Sequence, residues 1–286
     1  MPESRWNVAE PQKLTFEAPV TALHVRIADG AVNVVGTDED AARLEVSEIE
    51  GPPLIVTQRD GTITVAYEDK PWKVLLTGLD RRAQRRRAVV SLAVPSGAAV
   101  EVGVTGAGAV VSGIRGSTEL SGVSGDTTLV RVTGPVRAET VSGSLEAQGV
   151  TGGLRFQSVS GDLTVVDGSG TSVRAESVTG DMMLDLDTSG EPTDIQLTTV
   201  SGQVAVRLPH PADARVEANT ARGSVSNAFE DLRVGGQWCA KKITGTLGAG
   251  TGKLTATTVS GSIALLRRPP AEDDEQLGAE PTGKVL

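Results

Sequence analysis

The sequence predicts an all-β protein, a single-stranded β-solenoid of stacked 18–22-residue coils that begins with an N-terminal β cap. Three observations lead to this prediction. A tetrad made of a β-branched residue, Ser or Thr, Gly and a small polar residue recurs along the chain. Apolar and polar residues alternate between the tetrads, and the glycines return at a nearly constant interval.

The tetrads set the length of the repeat. They run from Val123-Ser124-Gly125-Asp126 to Val259-Ser260-Gly261-Ser262, with glycines 16–22 residues apart. One such unit cannot bury its own apolar face, so stacked copies are required. We expect each glycine to occupy a corner that needs a positive φ or a close approach of two backbones. The structural glycines are Gly125, Gly143, Gly161, Gly180, Gly202, Gly223, Gly245 and Gly261.

Residues two positions apart should form inward columns, because strand side chains alternate between the two faces. After the tetrad glycine the column is Leu145, Leu163, Met182, Val204, Val225, Leu247 and Ile263. In the other half of the coil it is Val136, Leu154, Val173, Ile195, Val216, Trp238 and Leu254. A hydroxyl column, which we expect to be hydrogen-bonded from coil to coil, is Thr140, Ser158, Ser177, Thr199, Thr220 and Thr258. A helix would scatter these residues and place many glycines in its interior, at about 1 kcal/mol each.

The chain divides into four regions. We expect a flexible N-terminus over 1–12, an N-terminal β region and cap over 13–103, solenoid repeats over 104–266 and a disordered acidic tail over 267–286. Asp60-Gly61 lies between two apolar runs and predicts a tight turn. Pro269 and Pro270 follow the last strand and should blunt the C-terminal edge of the stack, because proline cannot donate to a ladder.

Composition excludes several classes of function. The net charge of −9 argues against nonspecific nucleic-acid binding. Three Phe, one Tyr and three Trp leave little aromatic lining for a large ligand pocket. The single cysteine, Cys239, excludes an intramolecular disulfide and is interpreted as an incidental thiol. No signal sequence or membrane-spanning run is evident, so we expect a cytoplasmic protein, free or at the membrane periphery.

A basic segment, residues 70–87, departs in chemistry from its surroundings. It contains one Trp and five Arg, namely Trp72, Arg81, Arg82, Arg85, Arg86 and Arg87. Three interpretations stay open: a solvated loop, a contact for an anionic surface such as phospholipid or nucleic acid, or a docking site for an acidic protein partner. The indole beside cations favours a contact role.

A second candidate surface is an outward column that becomes small and uncharged toward the C-terminus. It includes Met183, Ala205 and Ser226, each three residues after a tetrad glycine. A flat uncharged sheet face of this kind suits docking of a partner or of a second copy.

Residues typical of catalysis are sparse. His24 is expected on the solvent face of a strand rather than as a catalyst, and His210 in an exposed loop without an acid–base or metal-ligand partner at suitable spacing. Asp126, Asp162 and Asp181 share one corner, where we expect each to bond the turn amides of its own corner rather than calcium. We therefore predict no cofactor, no metal site and no enzymatic activity. A polysaccharide-acting β-helix enzyme is the least favoured alternative, since it needs paired carboxylates and aromatic platforms.

The tetrads, the stretch 216–226 and the early run Ile27-Ala28-Asp29-Gly30-Ala31-Val32 resemble a widespread bacterial family. It is a domain-of-unknown-function class of β-strand-repeat proteins that carry the label putative adhesin. The likeness covers about residues 13–266 and implies a β-solenoid with no established enzymatic activity. The high Ala, Val, Gly and Arg content suits an actinobacterial source.

For function we predict a non-enzymatic cytoplasmic scaffold or protein-interaction module that binds an unknown protein partner or itself. The alternative is an envelope-associated sensor that binds an anionic membrane surface.

Overall fold

The computed structural model describes residues 3–67, 86–170, 172–187, 194–209 and 211–268, and in this part of the chain all regular structure is β-strand. The N-terminal strands are β1 (Ser4–Val8), β2 (Gln12–Phe16), β3 (Ala22–Ile27), β4 (Asp29–Thr37), β5 (Ala42–Glu50), β6 (Leu54–Arg59), β7 (Thr62–Tyr67) and β8 (Arg87–Pro95). The regular repeats contribute β9 (Ala99–Val104), β10 (Gly108–Ser112), β11 (Thr118–Gly122), β12 (Thr127–Val130), β13 (Val136–Thr140), β14 (Leu145–Gln148), β15 (Leu154–Ser158), β16 (Leu163–Gly168), β17 (Ser172–Glu176), β18 (Met182–Leu186), β19 (Asp194–Thr199) and β20 (Val204–Leu208). The C-terminal strands are β21 (Ala214–Thr220), β22 (Val225–Asn227), β23 (Leu232–Gln237), β24 (Ala240–Leu247), β25 (Gly252–Thr258) and β26 (Ile263–Arg267).

The strands form two sheets that face each other across one core. The first sheet has the order β1-β6-β7-β3-β9-β11-β13-β15-β17-β19-β25-β21-β24-β23, and the second β2-β5-β8-β4-β10-β12-β14-β16-β18-β20-β26-β22. Each coil gives one strand to each sheet and pairs in parallel with the next coil, as β13 does with β15 and β14 with β16. Fourteen strands at about 4.8 Å spacing make a body on the order of 60 Å long. The predicted all-β solenoid is confirmed, with two strands per coil.

The inward columns fill the core. Leu145, Leu163 and Met182 stand in register on β14, β16 and β18 and are 0–2% exposed. Leu154, Val173 and Ile195 stand in register in the first sheet and are 2–4% exposed. At roughly 1.5–3 kcal/mol for each fully buried aliphatic side chain, this repeated burial stabilises the stack.

The tetrad glycines are required by close packing of one corner on the next. A Cβ at Gly161 would lie 2.9 Å from the carbonyl carbon of Gly143, and closer still to its oxygen. The same crowding recurs at most tetrad corners, whereas positive φ is used at the opposite corner, by Gly113, Arg131, Gly149 and Asp167. A corner glycine was predicted for either a positive φ or a close approach of two backbones, and at the tetrad the close approach of the backbones is the reason.

The hydroxyl column bonds to backbone rather than to neighbouring hydroxyls. Thr199 Oγ1 accepts from the Gly202 amide at 3.2 Å and donates to the Gly180 carbonyl of the preceding coil at 3.3 Å. Thr258 makes the equivalent pair of bonds, to the Gly261 amide at 3.1 Å and the Gly202 carbonyl at 3.4 Å. The hydroxyls of Thr199 and Thr258 thus hold their own corners and tie them to the neighbouring coil.

The corner aspartates also join coils, which corrects the expectation that each bonds its own corner. The carboxylate of Asp126 accepts from the Ser144 amide at 3.0 Å, and that of Asp162 from the Asp181 amide at 2.8 Å. Asp181 in turn accepts from the Gln203 amide at 2.7 Å. A carboxylate facing a neighbouring backbone amide has a structural role and needs no calcium.

The N-terminal region closes one end of the stack with antiparallel strands. β1 pairs with β6, and β2 pairs with β5, outside the parallel strands β7 and β8. The predicted flexible segment 1–12 is therefore wrong for Ser4–Val8, whose Val8 is fully buried and whose Trp6 packs edge-on against Phe16. The predicted Asp60-Gly61 turn is confirmed, with φ of 47° and 78°.

The C-terminal coils do not stack in the order of the sequence. β25 lies between β19 and β21, and β26 between β20 and β22, so the last coil is inserted one place inside the stack. Two predictions are corrected by this. The strand that precedes the predicted prolines, β26, has a neighbour on both sides and is not the edge strand that the sequence predicted; Pro269 and Pro270 themselves lie outside the described residues. Gly245 is not a corner, since it lies within β24 opposite Val216 and Leu232.

Candidate functional site

Most of the predicted basic segment lies outside the described residues, including Trp72, Arg81, Arg82 and Arg85. Arg86 and Arg87 are described, and both interact with their own chain. The Arg86 guanidinium carbon is 5.7 Å from the centroid of the Tyr67 ring, and Arg87 Nε is 4.0 Å from Glu48 Oε2. Burial raises the pKa of Tyr67 to about 12, so its phenol stays neutral at physiological pH.

The second candidate surface is a row on the outer face of the second sheet. Met183 stands beside Ala205, Ala205 beside Ala264 and Ala264 beside Ser226. The structure thus brings together the three predicted residues, in an order set by the inserted coil. Met183 is 58% exposed and is the only large side chain among these four.

A hairpin that the repeat does not require covers the end of the first sheet. Its strand β24 pairs antiparallel with β21 on one side and with β23 on the other. The last residue of β21, Thr220, lies opposite Lys241, so the turn Gln237–Ala240 extends past the adjacent solenoid corner. We call these four residues the hairpin tip.

Trp238 is at the outermost turn of the hairpin tip. The sequence pattern predicts an inward position for Trp238, but its side chain is fully exposed, with a relative accessibility of 103%. Its φ is 59°, a left-handed conformation that costs roughly 1–2 kcal/mol for a residue with a Cβ and that turns usually give to Gly or Asn. The backbone therefore bears a cost at Trp238, and the side chain gains no packing in return.

Three cations lie on the two hairpin strands behind the hairpin tip. Arg233, Lys241 and Lys242 are exposed, and the first two form no ion pair with any residue that the structure describes. Lys242 Nζ is 3.0 Å from Glu217 Oε1, and this hydrogen bond lowers the pKa of Glu217. The three cations line an open groove of about 860 Å³ between the hairpin and the corner at Ala221, and no acidic side chain lines it. In a chain of net charge −9, this end is locally positive.

Several acids and bases elsewhere in the described chain are paired with each other. Asp185, on β18, accepts a hydrogen bond from Arg207 Nε at 2.8 Å and a second from the same guanidinium, and Arg268 Nη1 lies 3.7 Å from it. The hydrogen bonds from Arg207 hold the pKa of Asp185 below its usual range. His24, half-exposed on the sheet face as expected, is 3.7 Å from Glu101.

The described part of the chain forms neither a cluster of metal-ligating side chains nor a membrane-spanning helix. Within the described ranges, no group of three or more His, Cys, Asp or Glu side chains is placed to hold a metal ion. The same residues form no helix long and apolar enough to cross a bilayer. His210, the other candidate base, lies outside the described residues.

Sequence reasoning missed the hairpin tip although signals for it were present. Gly235 and Gly236 precede Trp238, and a Cβ at Gly236 would collide with the Ala240 backbone across the hairpin. Two adjacent glycines, an isolated Trp and two lysines interrupt the repeat together, which is typical of an inserted turn rather than of a coil.

Geometry and topology together define a class: a two-sheet β-solenoid repeat protein without a catalytic constellation in its described residues. The chain belongs to the Toastrack DUF4097 family, a domain of unknown function whose model matches residues 20–266. None of the curated proteins matches the chain in sequence.

The chain is similar to solved structures from Parabacteroides and Bacteroides species. A putative adhesin from Parabacteroides distasonis is 10% identical, with 90% of this chain and 97% of that chain covered and a TM-score of 0.45. A putative adhesin from Bacteroides fragilis is 11% identical, with 90% and 98% covered and a TM-score of 0.43. A putative lipid binding protein from Parabacteroides distasonis is 8% identical, with 92% and 98% covered and a TM-score of 0.41. Likenesses this distant carry no argument about function.

Proposed function

We propose that the protein is a non-enzymatic scaffold that binds a macromolecular partner through the hairpin tip. The stacked coils hold this end rigidly, so little conformational entropy is lost when a partner docks. A cytoplasmic location, free or at the membrane periphery, is part of the same proposal, and cell fractionation tests it.

Trp238 is the observation that carries the proposal. A fully exposed indole in a left-handed conformation lowers stability without contributing to the core. Glycine would suit the backbone better at this position, so stability alone does not account for a tryptophan there. Exposed Trp and Arg are also the residue types that dominate binding energy at interfaces.

The experiment separates folding from binding by replacing Trp238 with glycine. The intact protein, Trp238→Gly and a control, Val159→Ser, are immobilised and incubated separately with soluble and membrane fractions of the source cell. Val159 is 51% exposed at a mid-stack corner, so the control also removes an exposed apolar side chain. We expect Trp238→Gly to be at least as stable as the intact protein and to lose the bound material. Equal retention by all three proteins would refute the hairpin tip as the docking element.

The outer row of the second sheet supports a second docking surface, because its residues stand in register over four neighbouring strands. Met183→Glu combined with Ala205→Glu places two charges on this row. If this surface binds the partner, the double variant loses retention while Trp238→Gly keeps it.

A further inference from the structure

The hairpin combines an apolar tip with cations on the two strands behind it. Trp238 and the exposed residues Cys239 and Ala240 are outermost, and Lys241 and Lys242 follow directly. On the paired strand, Val234 is 55% exposed next to Arg233. An exposed apolar tip with cations behind it is the arrangement that matches an anionic bilayer surface, whose headgroup layer lies outside its acyl layer.

The shape of the site favours a lipid surface over a folded protein. The Trp238 side chain projects from the turn into solvent and does not pack against the described part of the chain. The neighbouring groove is open, and its apolar side chains are the small ones Ala221, Val234, Ala240 and Val259, whereas a groove that holds a peptide anchor usually has large apolar and aromatic side chains. Indole rings concentrate at the membrane–water interface, where the apolar ring and the polar N–H are both accommodated.

Charge complementarity points the same way. Arg233 and Lys241 have no acidic partner within the described ranges, so their charges are available to lipid headgroups. Cations close to an anionic leaflet add attraction that falls off within a Debye length, about 8 Å at physiological ionic strength. Lys242 shares its charge with Glu217 and contributes less.

The hairpin also limits the depth of insertion. β23 is the outer strand of its sheet, so one row of its backbone N–H and C=O groups has no strand beside it. Unpaired backbone groups are not tolerated in the hydrocarbon core, which confines the contact to the interfacial layer. One interfacial Trp with two free cations gives reversible rather than permanent attachment.

We propose that the hairpin tip is an interfacial anchor for an anionic phospholipid bilayer, with Trp238 in the headgroup layer and Arg233 and Lys241 against the headgroups. This inference rests on the assignment of the hairpin as the docking element. In this proposal the partner of the hairpin is a lipid surface.

Vesicle sedimentation tests the proposal with the full chain. The vesicles contain phosphatidylglycerol and phosphatidylcholine in equal parts, or phosphatidylcholine alone, at low and high salt. We expect binding to the anionic vesicles only, weakened by salt. Trp238→Gly should bind about tenfold or more weakly, since it loses the aromatic side chain that the bilayer would bury. Lys241→Glu should lose a similar factor, because it reverses one charge near the surface.

Two control variants match these changes. Val159→Ser removes an exposed apolar side chain, and Arg155→Glu changes the net charge as Lys241→Glu does. Arg155 is exposed in the middle of the first sheet, between Arg137 and Arg174 of the neighbouring strands. Both controls should bind anionic vesicles as the intact protein does.

Fluorescence locates the contact. In a chain carrying Trp6→Phe and Trp72→Phe, the remaining emission comes from Trp238. Anionic vesicles should shift it to shorter wavelength, and brominated lipid should quench it. An unshifted and unquenched Trp238 would overturn the anchor.

The other outcomes are equally decisive. Anionic vesicle binding that survives both Trp238→Gly and Lys241→Glu places the lipid contact elsewhere and overturns the proposal, and so does a lack of binding by the intact chain. If the intact chain ignores vesicles but retains a soluble protein that Trp238→Gly loses, the docking function stands and the lipid assignment fails. If neither vesicles nor protein are retained, both fail.

Discussion

Gly161→Ala should destabilise the whole stack, because the tetrad corner has no room for a methyl group. The added Cβ would lie 2.9 Å from the Gly143 carbonyl carbon and 2.8 Å from Ser158 Oγ, where ordinary contacts begin at 3.4 Å. Overpacking of this kind costs typically about 1–3 kcal/mol. Displacing the 2.7 Å hydrogen bond from the Gly161 amide to Ser158 adds about 1 kcal/mol.

A loss of about 3 kcal/mol corresponds to a fall in Tm of about 6–12 °C for a chain of this size. Circular dichroism melts of the intact protein, Gly161→Ala and Gly97→Ala measure it. Gly97 is the matched control, since a Cβ there would meet nothing within 4 Å and its φ is not positive. Gly97→Ala should keep or slightly raise the Tm. Equal melting temperatures for the two variants would refute close corner packing as the reason for the tetrad glycine.

Three further predictions concern the ion network and the ends of the stack. Asp185→Asn should cost about 1–3 kcal/mol at pH 7, because it breaks the charged pair with Arg207. The pKa of Asp185 is lowered in the folded state, so its contribution is present above the unfolded value near 3.9 and is lost as pH falls through the folded value. Urea midpoints should therefore fall less on acidification for Asp185→Asn than for the intact protein, and parallel curves would contradict this. Deletion of 269–286 should leave the number of subunits per particle, measured by light scattering, unchanged, because β26 is not an edge strand. Formation of larger oligomers would show that the tail covers an exposed edge. Replacement of 231–247 by a short linker should cause self-association, because it exposes the edge of β21, and an unchanged oligomeric state would show that this edge is protected in another way.

The two-residue period and the tetrad were enough to predict the sheets, the inward columns and the solenoid. Side-chain alternation depends only on the strand backbone, so a periodic sequence indicates which residues face the core. The order of the coils could not be read in this way. The tetrad at 259–262 fits beside any other tetrad, so the pattern does not specify that β25 and β26 lie inside β21 and β22.

The hairpin was missed for a related reason. Ile243-Thr244-Gly245-Thr246 has the composition of a tetrad, and an antiparallel strand alternates its side chains as a parallel one does. Pattern alone therefore placed Trp238 in the core. What distinguishes the hairpin is its hydrogen bonding to β21, a long-range property that no local pattern contains.

The hairpin has two roles that are compatible because they fall on different parts of it. Its paired strands cover the free edge of β21, and the buried side chains Leu232, Ile243 and Leu247 attach them to the core. Its tip extends beyond these contacts, so the strained φ of Trp238 is local to the turn and does not disturb the paired strands that cover β21. A residue chosen for binding can therefore occupy this turn at a cost of roughly 1–2 kcal/mol without opening the stack. The same substitution inside a tetrad corner would meet the preceding backbone, which makes the end of the solenoid the place where this fold can change its surface most freely.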